Sequence, residues 1–340
     1  MWPVLFNLYK SLKIKYKLRR VIDKNNLSNH KAAGTKLIIF GPWLGEVGSE
    51  LQYWIPFIRK IKRQLYPDAR IIVISRGGVE SWYQDITKDY IELFDHLTVP
   101  QYTKLRNSVV KVTGLEKQLI MSPAEKKLIK YILEKKNCPD YLLIHPSSMW
   151  KEILPWAEGK ISLNDVLSLL SFNKIPVLEK YKNLTDKLNL PKTFFVMKFY
   201  ESSLFPKTEN NILFIKNLTN YLTQKSNVVN MNNSSVDNHL PIKFSPGKKI
   251  ISVSNLTPDI NLGVQTEIIR RSIGFFGTNG GFDILPAFVG KSSLSFYSTP
   301  LTRFMPAYFQ HEMIARKLYE YLGVNSYSIM STDSWRSFFN

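Results

Sequence analysis

The sequence predicts an α/β protein made of two successive parallel-sheet domains. Three observations predict it. Short apolar runs rich in β-branched residues (Lys36–Phe40, Arg70–Ser75, Tyr141–His145) alternate with helical periodicities. The same alternation returns from Thr193 onward. Between the two sets, from Pro146 to Lys192, Pro, Trp and Asn recur and the helical pattern is interrupted, as in a crossing segment. Strand, helix and strand within about forty residues form a βαβ unit, whose strands lie parallel. The expected boundaries are a basic helix at 1–22, a first domain at 36–148, a crossing segment at 149–192, a second domain at 193–330 and a tail at 331–340.

Taken in order, Trp2, Leu5, Phe6, Tyr9, Leu12 and Tyr16 make one helical stripe, crowded by Lys10, Lys13, Lys15, Lys17, Arg19 and Arg20. Its basic residues follow the apolar run, which is not the order of a signal peptide. Such a helix either lies on anionic lipid or packs on the protein's own core. Asp23–Thr35 reads as a linker. Lys36–Phe40 is a buried strand ending at Gly41-Pro42. Ser49 stands where it can cap a helix with Leu51, Trp54, Ile55, Ile58 and Leu65 inward, and Pro56 predicts a kink or break. Arg70–Ser75 is the second strand. A helix is expected over Glu80–Phe94, a strand over His96–Val99, and a helix over Ser122–Lys136. The last opens on a Ser122/Glu125 capping box with Pro123 at its first position. Tyr141–His145 closes the first set.

The second set starts with a strand over Thr193–Tyr200. A helix over Thr208–Thr223 and strands over Asn227–Met231 and Lys249–Ser254 follow. Next come a helix over Gly263–Ser272, a strand over Ile273–Gly277, a helix over Gly281–Val289, a strand over Ser292–Tyr297 and a helix over Tyr308–Leu322. Ligands of such folds bind outside the carboxyl ends of the strands, so a cleft between the two domains is the expected site.

Composition narrows the classes. The 340 residues are 44% hydrophobic and 13% aromatic, enough for packed cores. The single cysteine, Cys138, excludes an intramolecular disulfide and any cysteine-based zinc site. No run reaches the ~18–20 apolar residues of a spanning helix. A net charge of +19 attracts anions: nucleotide phosphates, anionic lipid, acidic glycans or nucleic acid. Lys and Arg are spread along the chain and no nucleic-acid module is recognisable, so no specific nucleic acid is expected.

Three motifs could carry chemistry. Gly277-Thr278-Asn279-Gly280-Gly281 lies between an apolar strand and an apolar helix. It is either a tight turn or a cradle where bare backbone approaches a diphosphate, with Thr278 and Asn279 adding donors. It matches neither the Walker loop nor the Rossmann fingerprint. In Gly41-Pro42-Trp43-Leu44-Gly45-Glu46-Val47-Gly48-Ser49-Glu50, glycines flank Glu46, which could serve as general base or bind acceptor hydroxyls. Glu50 either shares that role or merely suits the first turn of a helix. In Lys198-Phe199-Tyr200-Glu201, the lysine either turns outward to solvent or meets an anion at the strand end. Arg76, His145 and His239 are weaker candidates for acceptor or phosphate contacts. Metal-ligand spacing and Asp-X-Asp are absent, so no metal is expected.

The Gly277–Gly281 turn with Phe282–Gly290 resembles the donor-site segment of GT-B glycosyltransferases, and is most similar to a bacterial group of surface-polysaccharide glycosyltransferases. Gly41–Trp54, His145-Pro146-Ser147, Lys198-Phe199-Tyr200 with Phe205-Pro206 and Glu209-Asn210, and Asp237-Asn238-His239 carry the same likeness over roughly residues 36–322. Asn279 departs from it, standing where an aromatic or small residue is expected. The resemblance implies two Rossmann-like domains of GT-B type and metal-independent transfer. It also implies a nucleotide-sugar bound mainly by the second domain, through Lys198, Tyr200 and Gly277–Gly281.

The leading expectation is a glycosyltransferase with a nucleotide-sugar as substrate, no cofactor, and a polysaccharide or lipid-linked glycan acceptor. It would be cytoplasmic and peripheral at the inner face of the membrane, with Glu46 as base if the reaction inverts. A nucleotide-sugar epimerase or hydrolase on the same fold, a basic nucleic-acid-binding protein, and a binding module without turnover are the alternatives.

Overall fold

The computed structural model describes residues 37–113, 117–138, 140–231, 241–242, 247–253, 256–299 and 307–331. The expected basic helix and linker, the Asp237-Asn238-His239 turn with its candidate His239, and all but the first residue of the expected tail lie outside these. By internal contacts the chain divides into two units. The first takes the chain to Gly45, then Ser49–Arg76 and Trp82–Phe172. The second takes Glu46–Gly48, Gly77–Ser81 and the chain from Asn173 onward. The fold class is α/β with two wholly parallel sheets, as the sequence predicts.

In the first unit β1 (Leu37–Phe40), β2 (Arg70–Ser75), β3 (Asp89–Glu92) and β4 (Leu142–Ile144) lie in the order β3-β2-β1-β4. Ile38 pairs with Ile71 on one side and Leu142 on the other. Ile38, Ile39 and Phe40 are wholly buried, as a central parallel strand covered on both faces requires.

The segment after β1 departs from the expectation at Ser49. That residue is itself helical (φ −68°, ψ −31°) and its side chain caps nothing. The helix begins earlier, as α1 (Val47–Ser49), and passes through a π turn over Glu50–Trp54 into α2 (Ile55–Leu65). Pro56 explains the turn. It has no N–H to give, and in a regular α-helix its ring would collide with the carbonyl four residues back. The wider turn absorbs that collision, closing on Ile55 N–H to Glu50 O.

The predicted helix over Glu80–Phe94 shrinks to α3 (Glu80–Tyr83), and β3 replaces its second half. Asp and Glu are poor strand formers, which hid β3. An edge position tolerates them, and Asp89 pairs with Arg70 of β2 at 2.8 Å. The expected strand over His96–Val99 does not form; Val99 opens α4 (Val99–Thr113). The capping box forms as predicted on α5 (Pro123–Lys135). Part of the crossing region is a helix, α6 (Pro146–Ala157), capped by His145, followed by α7 (Leu163–Ser168).

From Asn173 onward the second unit opens with α8 (Glu179–Asp186) and, among the described residues, holds six strands. They are β5 (Phe194–Lys198), β6 (Asn227–Asn230), β7 (Ile250–Ser252), β8 (Phe275–Thr278), β9 (Ser293–Tyr297) and an unpredicted edge strand, β10 (Ser326–Met330). Their order is β10-β9-β8-β5-β6-β7. Helices α9 (Glu209–Lys225), α10 (Asn261–Arg271), α11 (Leu285–Phe288) and α12 (Ala307–Leu322) connect them. The chain steps outward from β5 through β6 to β7, then returns to β8 on the other side. Such an order has a topological switch point, here between β5 and β8. In the first sheet the switch lies between β1 and β4.

Met197, Phe199, Phe205, Phe214, Leu218 and Phe296 form the core beside α9. Phe199 is fully buried, with its ring centroid 5.6 Å from Phe205 and 6.0 Å from Phe296. Phe199→Ala should cost about 3–5 kcal/mol, because the surrounding rings cannot close the cavity. A urea titration checks this: the midpoint falls while the slope stays unchanged.

Candidate functional site

At the second unit's switch point, Lys198 ends β5 and pairs in register with Gly277 near the end of β8. A β-carbon on Gly277 would collide with the Lys198 carbonyl oxygen, so only glycine brings the strands this close. The Thr278 hydroxyl accepts from Tyr200 N–H and donates to Tyr200 O, both at 3.0 Å. Thr278 therefore staples the two strand ends together. Gly280 gives way to the Tyr200 hydroxyl, which an added β-carbon would strike. Gly281 lies backbone to backbone on Gly48; an added β-carbon at either position would collide with the other glycine. The segment carrying Glu46, which is half-buried, thus belongs beside the glycine turn.

Lys198 does not turn outward to solvent. Its side chain is buried, with Nζ 3.0 Å from Gln265 Oε1, 3.4 Å from the Met231 carbonyl and 4.2 Å from the Phe282 ring centroid. Gln265 is itself held, donating to Asn261 Oδ1 at 2.7 Å. Both glutamine and asparagine stand on α10. The Leu262 and Gly263 N–H groups in its first turn donate to the Gly77 carbonyl at 2.8 and 3.1 Å. Gly77 and Gly78 have φ of +89° and +73°, which glycine adopts without strain.

Two expectations for the glycine turn change. The segment behind it is not a helix over Gly281–Val289: residues 281–284 form turns, and α11 has only four residues. Asn279 does not offer its amide to a ligand. It donates to Asp283 Oδ2 (3.3 Å), Ser295 Oγ (3.2 Å) and Ser328 Oγ (2.7 Å), tying the turn to β9 and β10. Asp283 is fully buried there. Burial pushes its carboxyl up to about 7, the Ser295 hydroxyl opposes, and the Glu312 carboxylate adds to the rise.

In the first unit, Glu50 and Arg76 meet each other. Arg76 Nη1 donates to Glu50 Oε2 at 2.8 Å, while the Ser75 and Tyr83 hydroxyls each donate to Glu50 Oε1 at 2.6 Å. Glu50 has no exposed surface. Burial pushes its carboxyl above the ordinary range, and Arg76, Ser75 and Tyr83 pull it back in part. A carboxylate so enclosed is committed to its three donors, and Arg76 is committed likewise. Its Nε donates to the Tyr102 hydroxyl at 2.9 Å and its Nη2 to the Gly45 carbonyl at 2.6 Å.

His145 is also buried in a chain of contacts. Its Nδ1 accepts from Ser147 N–H at 3.1 Å, capping α6, and its Nε2 stands 3.1 Å from Glu125 Oε1. Burial alone would raise the Glu125 carboxyl. His145, the Ser122 N–H and Gln118 outweigh that and hold it below its usual range.

These two clusters share one task that sequence reasoning missed. Gly41 N–H donates to the Ile144 carbonyl (3.2 Å), Trp43 N–H to the Ile74 carbonyl (3.0 Å) and Leu44 N–H to Gln118 Oε1 (2.8 Å). The carbonyls of Pro42, Leu44 and Gly45 accept from Gln118 (2.9 Å), Tyr102 (3.1 Å) and Arg76 (2.6 Å). The loop leading to Glu46 is therefore clamped along its length. Tyr102 and Gln118 lie in segments without a motif, and Glu125 is legible only as a cap. Among the described residues no cluster of His, Cys, Asp or Glu is grouped to hold a metal ion.

No protein-family model matches the sequence, and no curated protein matches it. Among solved structures, it is similar to a family 9 glycosyl transferase from Veillonella parvula, with 10% identity over 91% of each chain and a TM-score of 0.47. It is similar to ADP-heptose lipopolysaccharide heptosyltransferase II of E. coli, with 12% identity, 86% of this chain and 90% of that chain covered, and a TM-score of 0.46. It is also similar to UDP-GlcNAc 2-epimerase of Methanocaldococcus jannaschii, with 11% identity, 88% and 93% covered, and a TM-score of 0.35. At that level of likeness, function has to come from the residues themselves.

Asp283 gives a pH prediction. Its folded pKa is raised from 3.8 to about 7, so its contribution is fully present below 3.8 and lost as pH rises through 7. Over that window, wild type should lose stability relative to Asp283→Asn by at most about 1.4 kcal/mol per pH unit. Above it the difference should be flat. Chemical denaturation of both proteins across the window checks the slope.

Proposed function

We propose that the chain is a metal-independent GT-B glycosyltransferase. It moves a sugar from a nucleotide-sugar to a polysaccharide or lipid-linked glycan acceptor. The observation that carries this reading is the convergence at the β5/β8 switch point. There a buried lysine, the Tyr200 phenol and the Gly277–Gly281 turn come together, and the Glu46–Gly48 segment lies on the turn. Parallel α/β sheets bind ligands at such points.

Each part has a chemical role in this reading. Gly277 lets the two strand ends close up, the half-buried backbone of Gly280 and Gly281 takes the diphosphate, and Tyr200 borders it. Lys198 neutralises the charge that develops on the leaving nucleoside diphosphate. Thr278 and Asn279 keep the turn in shape. Glu46 takes the proton from the acceptor hydroxyl, whose oxygen then attacks the anomeric carbon as the bond to the diphosphate breaks. Glu50, Arg76 and His145 act at a distance from the reacting atoms. The basic stripe of residues 1–22 would hold the enzyme at an anionic inner membrane face, where lipid-linked acceptors reside.

The test is a thermal-shift panel of UDP, GDP, ADP, TDP and CMP, each with and without EDTA, on wild type, Lys198→Met and Glu46→Gln. One nucleotide should stabilise wild type selectively and without regard to EDTA. Lys198→Met should weaken that effect at least tenfold in Kd. Glu46→Gln should keep it but lower turnover by about 10²–10⁴-fold. A general, salt-sensitive response to every polyanion would sink the transferase and favour a nucleic-acid-binding protein. Turnover without any acceptor or water incorporation would favour an epimerase.

A further inference from the structure

We infer that Arg76 is the positioning residue for Glu46, acting through the Gly45 carbonyl; this rests on the reading of Glu46 as the general base. The argument starts from how completely Arg76 is used. It is almost wholly buried, and each of its three guanidinium nitrogens has a separate acceptor: the Tyr102 hydroxyl, Glu50 Oε2 and the Gly45 carbonyl. A lone structural ion pair would need only Glu50. The fork instead spends its third arm on the last backbone group before Glu46, at 2.6 Å.

Glu50 aims the fork. Its two oxygens are divided, with Oε1 taking the Ser75 and Tyr83 hydroxyls and Oε2 taking Arg76. The π turn starts at Glu50, four residues after Glu46, so the same stretch of chain carries both the clamp's anchor and the residue it aims. Tyr102 reinforces the arrangement by receiving Arg76 Nε and donating to the Leu44 carbonyl. Pinned carbonyls at both Leu44 and Gly45 fix the backbone that leads into Glu46. A base is effective only within hydrogen-bond reach of its proton, and a misplacement of about 1 Å can cost 10²-fold in rate.

Lysine at this position keeps the charge but not the planar fork, so it cannot serve three acceptors in one plane. The decisive measurement is a double-mutant cycle on the full chain with Glu46→Gln, Arg76→Lys and both together. The readout is nucleoside diphosphate release from the nucleotide-sugar whose nucleotide binds best, with water as acceptor. Arg76→Lys should lower kcat about tenfold with donor KM unchanged, and the double variant should be no slower than Glu46→Gln alone. Losses that multiply in the double variant, or a raised KM at unchanged kcat, overturn the proposal.

A second arm does not depend on turnover. Amide hydrogen exchange over Trp43–Glu46 should rise at least tenfold in Arg76→Lys and in the milder Tyr102→Phe, while β5 and β8 keep their protection. Unchanged loop exchange overturns the clamp, even if Arg76→Lys fails to fold, because Tyr102→Phe answers the same question. Absence of nucleotide binding or turnover in wild type overturns the Glu46 reading instead, and the exchange result still decides the clamp.

Discussion

A carboxylate and a guanidinium buried together are tolerated only when every lone pair and N–H among them is answered. Around Glu50 and Arg76 each carboxylate oxygen and each guanidinium nitrogen has a partner, and much of the first unit's local structure follows from it. The acceptors and donors must arrive from different elements: Ser75 and Arg76 from the end of β2, Tyr83 from α3, Tyr102 from α4, and Gly45 from the loop after β1. Losing Arg76, Tyr102 or the Gly45 carbonyl leaves a polar atom dry, which ties their elements together. The π turn belongs to the same constraint, since it accommodates Pro56 in a helix whose start must also deliver Glu50 inward.

The second unit solves a similar problem with less charge. Its buried cation, Lys198, is steered by Gln265, a backbone carbonyl and the face of Phe282, so its position is set by neutral dipoles and a ring. The turn facing it is kept in shape from behind by Asn279, Asp283, Ser295 and Ser328. Division of labour results. Residues with rich side-chain chemistry form the supports, and Gly280 and Gly281 leave half-buried backbone at the turn.

Much of this was legible in the sequence where local chemistry decides. Strands with continuous apolar runs, the Ser122 capping box and the glycine turn after β8 all stand where their residues predict. The failures have physical causes. β3 carries acids that only an edge position and Arg70 make acceptable. Ser49 looked like a cap because nothing in the sequence announces a helix that starts earlier and widens around a proline. The supporting roles of Tyr102, Gln118 and Glu125 depend on contacts between residues far apart in the chain, which periodicity cannot reveal. In the sequence Arg76 and Glu50 read as separate agents; only the structure makes them partners.

The meeting of Gly48 and Gly281 has an implication for how this protein can change. A contact made of main chain alone has no chemical identity to vary. Neither residue can be enlarged without displacing the other, and no compensating substitution across the pair exists, because there is nothing smaller to offer in return. Any change in what this turn presents must therefore pass through neighbours that carry side chains, such as Lys198 and Tyr200.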